Sequence, residues 1–197
     1  MTVRSLVAIS GNVRVPSRTA ALVRAITAAL EVRLGVTGTV IGLPDAAPDL
    51  LGALTRDRLN EAGRALIETV ERADVLVIGS PIYRASYTGA LKHLCDLLDY
   101  RALQGAAGVI AATGGTPLHG LATEHQFRPL LGFFGIISVP TTIYALETDF
   151  AGTDLINPAI TERIARAADE ATALAQSGLR RPQPTTPLAH HRQGASA

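Results

Sequence analysis

The sequence predicts an α/β fold, an open parallel sheet with helices on both faces. Three observations predict it. Short apolar runs rich in β-branched residues alternate with amphipathic helical patterns over about 175 residues. The run from Asp74 to Gly79 in DVLVIGS is continuously apolar between an Asp and a Gly, as in a central strand covered on both faces. Parallel neighbours need a crossover helix, and the alternation supplies one at each step.

Each element follows in order. Val3 to Ser10 is a strand, and Thr19 to Leu34 a helix with apolar residues at 22, 25, 26, 29, 30 and 34. Val36 to Leu43 is a second strand, PDAAPDLLGAL an irregular connection, and residues 57 to 73 a helix. After the central strand come a helix over Gly89 to Leu98, a strand over Ala106 to Thr113 and a long helix over Leu118 to Phe134. Pro129 has no N–H to offer the carbonyl of residue 125, which predicts a bend or bulge in that helix. Ile136 to Tyr144 supplies the fifth strand and Pro158 to Gln176 an Ala-rich final helix. Five strands of this length suit a three-layer sandwich with the flavodoxin-like order 2-1-3-4-5.

Composition narrows the function. At 197 residues and 47% hydrophobic content the chain suits one sizeable core, read here as a single domain over 1–177. Residues 178–197, with Pro and the His190-His191 pair, lack the apolar content to pack alone and are expected to form a mobile tail. Eighteen basic against seventeen acidic residues leave a charge of +1, too little field for a dedicated nucleic-acid or membrane partner. MTVRSLVAIS has no signal-peptide pattern and no apolar run nears the roughly 20 residues that span a bilayer, so a cytoplasmic protein is expected. Cys95 is the one cysteine, which excludes an internal disulfide and a Cys-rich metal site; its LKHLCDLL setting reads as core packing.

In a sheet of this order ligands bind beyond the carboxyl ends of the strands, where the order reverses. Three loops meet there. The first, Ser10 to Thr19, opens a helix with hydroxyls, free amides and the guanidinium groups of Arg14 and Arg18, a set suited to a phosphate monoester. Taken alone, Ser17 could equally be a helix cap with both arginines in solvent. Neither G-x-x-x-x-G-K-[ST] nor G-x-G-x-x-G is present, which disfavours a triphosphate cradle and a dinucleotide fold. The second loop, Ser80 to Tyr87, offers a Pro-aliphatic-aromatic wall to a flat ring, or is simply a tight connection. The third, Thr113 to Thr116, has paired glycines that let backbone approach a ligand closely, or form a plain turn. A phosphate site and a flat-ring site in one crevice point to FMN.

The segments SGNVRVPSRT, SPIYRASYTGALKHLCDLL and ATGGTPLHGLATEHQFRPLLGFF resemble the NAD(P)H-dependent FMN reductases. Within that family the likeness is greatest to the reductase components of two-component alkanesulfonate and methanesulfonate monooxygenases, over roughly residues 3 to 150. The resemblance implies that Ser10, Arg14, Ser17, Arg18 and Thr19 form the phosphate loop. It places Pro81, Ile82, Tyr83 and Arg84 against the flavin ring and ribityl chain, with Thr113, Gly114 and Gly115 on the other side. It implies NADH or NADPH as reductant, a flavin-dependent monooxygenase as recipient of reduced FMN, and a homodimer or homotetramer. Two departures stand out. Asn12 replaces a frequent Ser, shifting weight to Ser10. His125 occupies the place of an inserted Tyr that forms a π-helical interface turn in relatives, and serves either an interface or only the kink.

Hydride passes directly between the two cofactor rings, so no acid, base or nucleophile is assigned. Arg84 is a candidate for the nicotinamide nucleotide's phosphates, or a solvent-facing side chain, and His119 a candidate neighbour of the flavin. Rival readings are a quinone or azo reductase with retained FMN, and a flavodoxin-like electron carrier. The near-neutral charge disfavours the carrier, which docks through acidity.

Overall fold

A computed structural model of the chain describes residues 3–177. The apolar runs form β1 (Leu6–Ser10), β2 (Gly38–Gly42), β3 (Val75–Pro81), β4 (Ala107–Gly114), β5 (Ile137–Ser138) and β6 (Ile143–Leu146). The helices are α1 (Arg18–Leu34), α2 (Leu43–Leu50), α3 (Glu61–Glu71), α4 (Gly89–Asp96), α5 (Arg128–Phe133) and α6 (Pro158–Gln176). Every pairing in the main sheet is parallel, in the order β2-β1-β3-β4-β5 with β6 also on β4. This is the expected 2-1-3-4-5 order, with its last position shared by two short strands.

Alternation along each central strand builds two cores. Val7, Ile9, Leu76, Ile78 and Ile110 face one side, under α2, α3, α4 and α5. Leu6, Ala8, Val75, Val77 and Val109 face the other, under α1 and α6. Both faces are apolar because both are covered, hence the unbroken hydrophobic run of β3. On α1, Leu22, Ile26 and Leu30 recur at helical spacing and are fully buried, each contributing roughly 1.5–3 kcal/mol of transfer free energy. Cys95 is buried in the first core.

Four expectations need correction. The stretch after β2, expected to be irregular, contains α2: Pro44 sits in its first turn, where no N–H is required, and Leu43, Ala46 and Leu50 form a buried stripe. The helix expected over 57 to 73 starts later. Arg56–Arg58 is a short 3-10 turn, and α3 begins after Asn60, whose side chain accepts from the Gly63 amide at 2.7 Å. The fifth strand is split at Pro140, which has no ladder N–H to give. Arg128 donates to the carbonyls of Val139 and Pro140 there, and the Thr141 amide donates to Glu170 at 2.9 Å.

The long helix over 118 to 134 is also broken. It becomes a 3-10 turn (Pro117–His119), a π turn (Thr123–Phe127) and α5. The Arg128 amide donates five residues back to Thr123, and Pro129 leaves the His125 carbonyl without an i+4 donor, so the predicted bulge falls at His125. A small antiparallel hairpin, β7 (Phe150–Ala151) with β8 (Asp154–Leu155), had no sequence expectation. The expected 178–197 tail, with His190 and His191, lies outside the described residues. Among the described residues, no helix is long and apolar enough to cross a membrane.

Candidate active site

The three loops converge at the carboxyl ends of β1, β3 and β4, joined by hydrogen bonds. The Gly11 amide donates to the Gly79 carbonyl at 2.7 Å, and the Thr88 hydroxyl to the Gly11 carbonyl at 2.7 Å. The Ile82 amide donates to the Thr113 carbonyl at 2.8 Å, and the Thr19 and Thr113 hydroxyls lie 2.6 Å apart. Each loop is therefore tied to the other two before any ligand is considered.

Between them lies a cavity of about 610 Å³, within the range of small-molecule cofactor sites. Ten of the expected residues line it: Arg14, Ser17, Arg18 and Thr19 from the first loop, Pro81, Ile82 and Tyr83 from the second, and Thr113, Gly114 and Gly115 from the third. Ser17 is also the N-cap of α1, accepting from the Ala20 amide at 3.2 Å. Its two readings are compatible, because the cap takes one first-turn amide and leaves others facing outward. Gly114 is required by a close approach: a Cβ there would lie 1.9 Å from the Tyr144 hydroxyl. That hydroxyl donates to the Thr116 carbonyl at 2.6 Å, and burial pushes the phenol's pKa up.

Two expected residues stand apart from the cavity lining. Ser10 is fully buried behind Asn12, donating to its Oδ1 at 2.5 Å, while Asn12 lines the cavity and its amide donates to the Arg14 carbonyl at 2.9 Å. Asn12, with the longer amide side chain, thus reaches the cavity where Ser10 does not. Arg84 stands at the exposed apex of the Tyr83–Ser86 turn, where it and Ala85 both adopt positive φ, 51° and 66°. It is not among the residues that line the cavity. His119 and His125 are exposed and also outside the lining. The π turn does touch the second loop: Ser86 donates to Gln126 at 3.3 Å, and Tyr87 packs edge-on against Phe127 at 5.3 Å.

Sequence reasoning missed Pro16, Glu147, Gly152 and Thr153 in the lining. The last three come from the β6–β8 region. Glu147 accepts from Arg18 at 2.6 Å, and the Gly152 carbonyl accepts from Arg18 Nε at 3.1 Å. The legible signal was the turn composition AGTD, with Gly152 at φ 63°.

The donor set fits FMN. Arginines and helix amides suit a phosphate, and an uncharged Pro-Ile-Tyr wall opposite paired glycines suits a flat ring. Fold and crevice together define a flavin-binding protein of the flavodoxin-like class.

Comparison with known proteins narrows this further. The profile of the NADPH-dependent FMN reductase family matches residues 4–151. An FMN reductase (NADPH) of Pseudomonas aeruginosa is 41% identical over 169 residues, 86% of this chain and 91% of that one. The NADH-dependent FMN reductase SfnF of Pseudomonas putida is 40% identical over 172 residues, covering 87% and 92%. The solved structure of an oxidoreductase from Corynebacterium diphtheriae aligns with a TM-score of 0.77 at 34% identity, covering 90% of this chain and 99% of that one. The chain belongs to the NADPH-dependent FMN reductase family, and its activity is reduction of FMN by a nicotinamide nucleotide.

Proposed function

We propose that the chain handles FMN as a substrate, reducing it with NADH or NADPH and releasing it to a flavin-dependent monooxygenase of organosulfur metabolism. The observation that carries this reading is the one cavity lined by residues 14, 16–19, 81–83 and 113–115. Arg14, Arg18, Ser17 and Thr19 would hold the phosphate, with outward amides of α1 adding donors. Pro81, Ile82 and Tyr83 would flank the ring and ribityl chain, and Gly114 and Gly115 would admit the other edge. FMN, when bound, supplies the hydride acceptor. The chain's part is alignment and exclusion of water, so no side chain is asked to move a proton.

Release is supported by exposure: Tyr83 is 46% accessible, so the ring wall is open on one side. An open ring face also leaves room for the nicotinamide to stack. Exposed Leu118 and Leu121 beside the π turn support a homodimer or homotetramer.

The test is anaerobic stopped-flow with NADH or NADPH, with and without free FMN, followed at the flavin band. Nucleotide oxidation that requires added FMN, with reduced flavin recovered in an ultrafiltrate, is expected. Reduction of a flavin that stays bound would replace this reading with a quinone or azo reductase.

A further inference from the structure

We propose that Glu147 is a specificity-setting residue that competes with the flavin phosphate for Arg18 and so keeps the grip on FMN weak. This deepens the reading given above and rests on the phosphate lying against residues 14–19.

Arg18 and Glu147 both line the cavity, with Arg18 Nη2 at 2.6 Å from Glu147 Oε1. A carboxylate so placed is unusual for an anion site: it occupies one guanidinium donor at the cavity and sets a negative charge beside the phosphate's place. The pair is 39% and 67% exposed at its two side chains, so it is screened and readily exchanged. Arg18 has a second anchor, Nε to the Gly152 carbonyl at 3.1 Å, which holds the guanidinium at the cavity without Glu147. A guanidinium carries five N–H donors, so an anion and the Gly152 carbonyl can be served together.

The alternative, that Glu147 chiefly orients Arg18, predicts the opposite sign. Orientation by the Gly152 carbonyl makes the carboxylate dispensable for placement, and its charge then acts on the ligand. Arg14 makes no ion pair among the described residues, so the competition is confined to Arg18. The consequence is selective: riboflavin has the same ring and ribityl chain but no phosphate, so Glu147 leaves its binding alone.

The test is flavin-fluorescence titration of wild type, Glu147→Gln, Arg18→Gln and the double variant Arg18→Gln/Glu147→Gln with FMN and with riboflavin. Glu147→Gln is expected to bind FMN about fivefold tighter, with a riboflavin Kd unchanged and a gain that shrinks in about 0.5 M salt. Against Arg18→Gln alone, the added Glu147→Gln is expected to bring less than about twofold. Weaker FMN binding by Glu147→Gln, or equal shifts for both flavins, would overturn the inference. Wild type that binds riboflavin and FMN equally would instead sink the phosphate-loop placement itself.

Discussion

The hydroxyls of Thr19 and Thr113 lie 2.6 Å apart, joining the first turn of α1 to the end of β4. Both residues are buried at the wall of the cavity. Thr113→Val keeps the shape and strands the Thr19 hydroxyl, at an expected cost of about 1–2 kcal/mol. The double variant Thr19→Val/Thr113→Val should cost clearly less than the sum of the two single changes. Urea midpoints at constant m decide it; additive losses would mean the hydroxyls do not interact.

Asn12 spans the first loop, accepting from Ser10 and donating to the Arg14 carbonyl. Asn12→Ala releases the Arg14 segment, and FMN Kd is expected to rise about tenfold, the loss of one to two charge-assisted contacts. Ser10→Ala acts only through Asn12 and should raise it about threefold or less. Fluorescence titration ranks the two. A larger effect at Ser10 would restore the weight that the sequence comparison put there.

The sheet order and the three loops were readable because each rests on a local pattern beside a recognisable strand, while the ten lining residues within those loops were named by the family resemblance. Asp74 to Gly79 is apolar because both faces of β3 are covered, and a loop after such a strand has only one place to go. What was not readable depended on partners distant in sequence. Pro44 and Pro48 looked like breakers, yet Leu43, Ala46 and Leu50 find a core that outweighs them in α2. Glu147 and Gly152 reach the cavity only because Arg18 meets them across more than 125 positions. Pro129, by contrast, announced the bulge at His125 directly, since the missing N–H is a property of the residue itself.

Gly114 and Gly115 are adjacent but face different neighbours. A Cβ on Gly114 would lie 1.9 Å from the Tyr144 hydroxyl, whereas one on Gly115 meets nothing within 4 Å. Gly114→Ala must displace Tyr144 from the Thr116 carbonyl and is expected to cost about 1–3 kcal/mol. Gly115→Ala should stay within about 0.5 kcal/mol of wild type. If Gly115→Ala nonetheless weakens FMN binding while the fold is intact, its methyl intrudes on the ligand; thermal melts and titrations separate the two effects.

Cys95 is buried among Leu91, Leu94 and Leu97, and that burial pushes its thiol from 9.0 up to about 12. The thiolate is the form that reacts, so an aromatic disulfide reagent at neutral pH should label the native protein only as fast as it opens. The same shift makes a pH statement. The folded state holds the proton more tightly than the unfolded chain, so this contribution to stability is complete below the unfolded value of 9.0. It is lost as pH rises from there toward about 12. The informative quantity is wild type relative to Cys95→Ala, because every other group is common to both proteins. Cys95→Ala is expected to be less stable by roughly 1 kcal/mol at pH 7, and that gap is expected to close by about 1 kcal/mol over the first pH unit above 9. Urea denaturation of both proteins across pH 7 to 10.5 reads this directly. Parallel curves, or rapid labelling of the native thiol, would show that Cys95 is reached by water rather than sealed in the core.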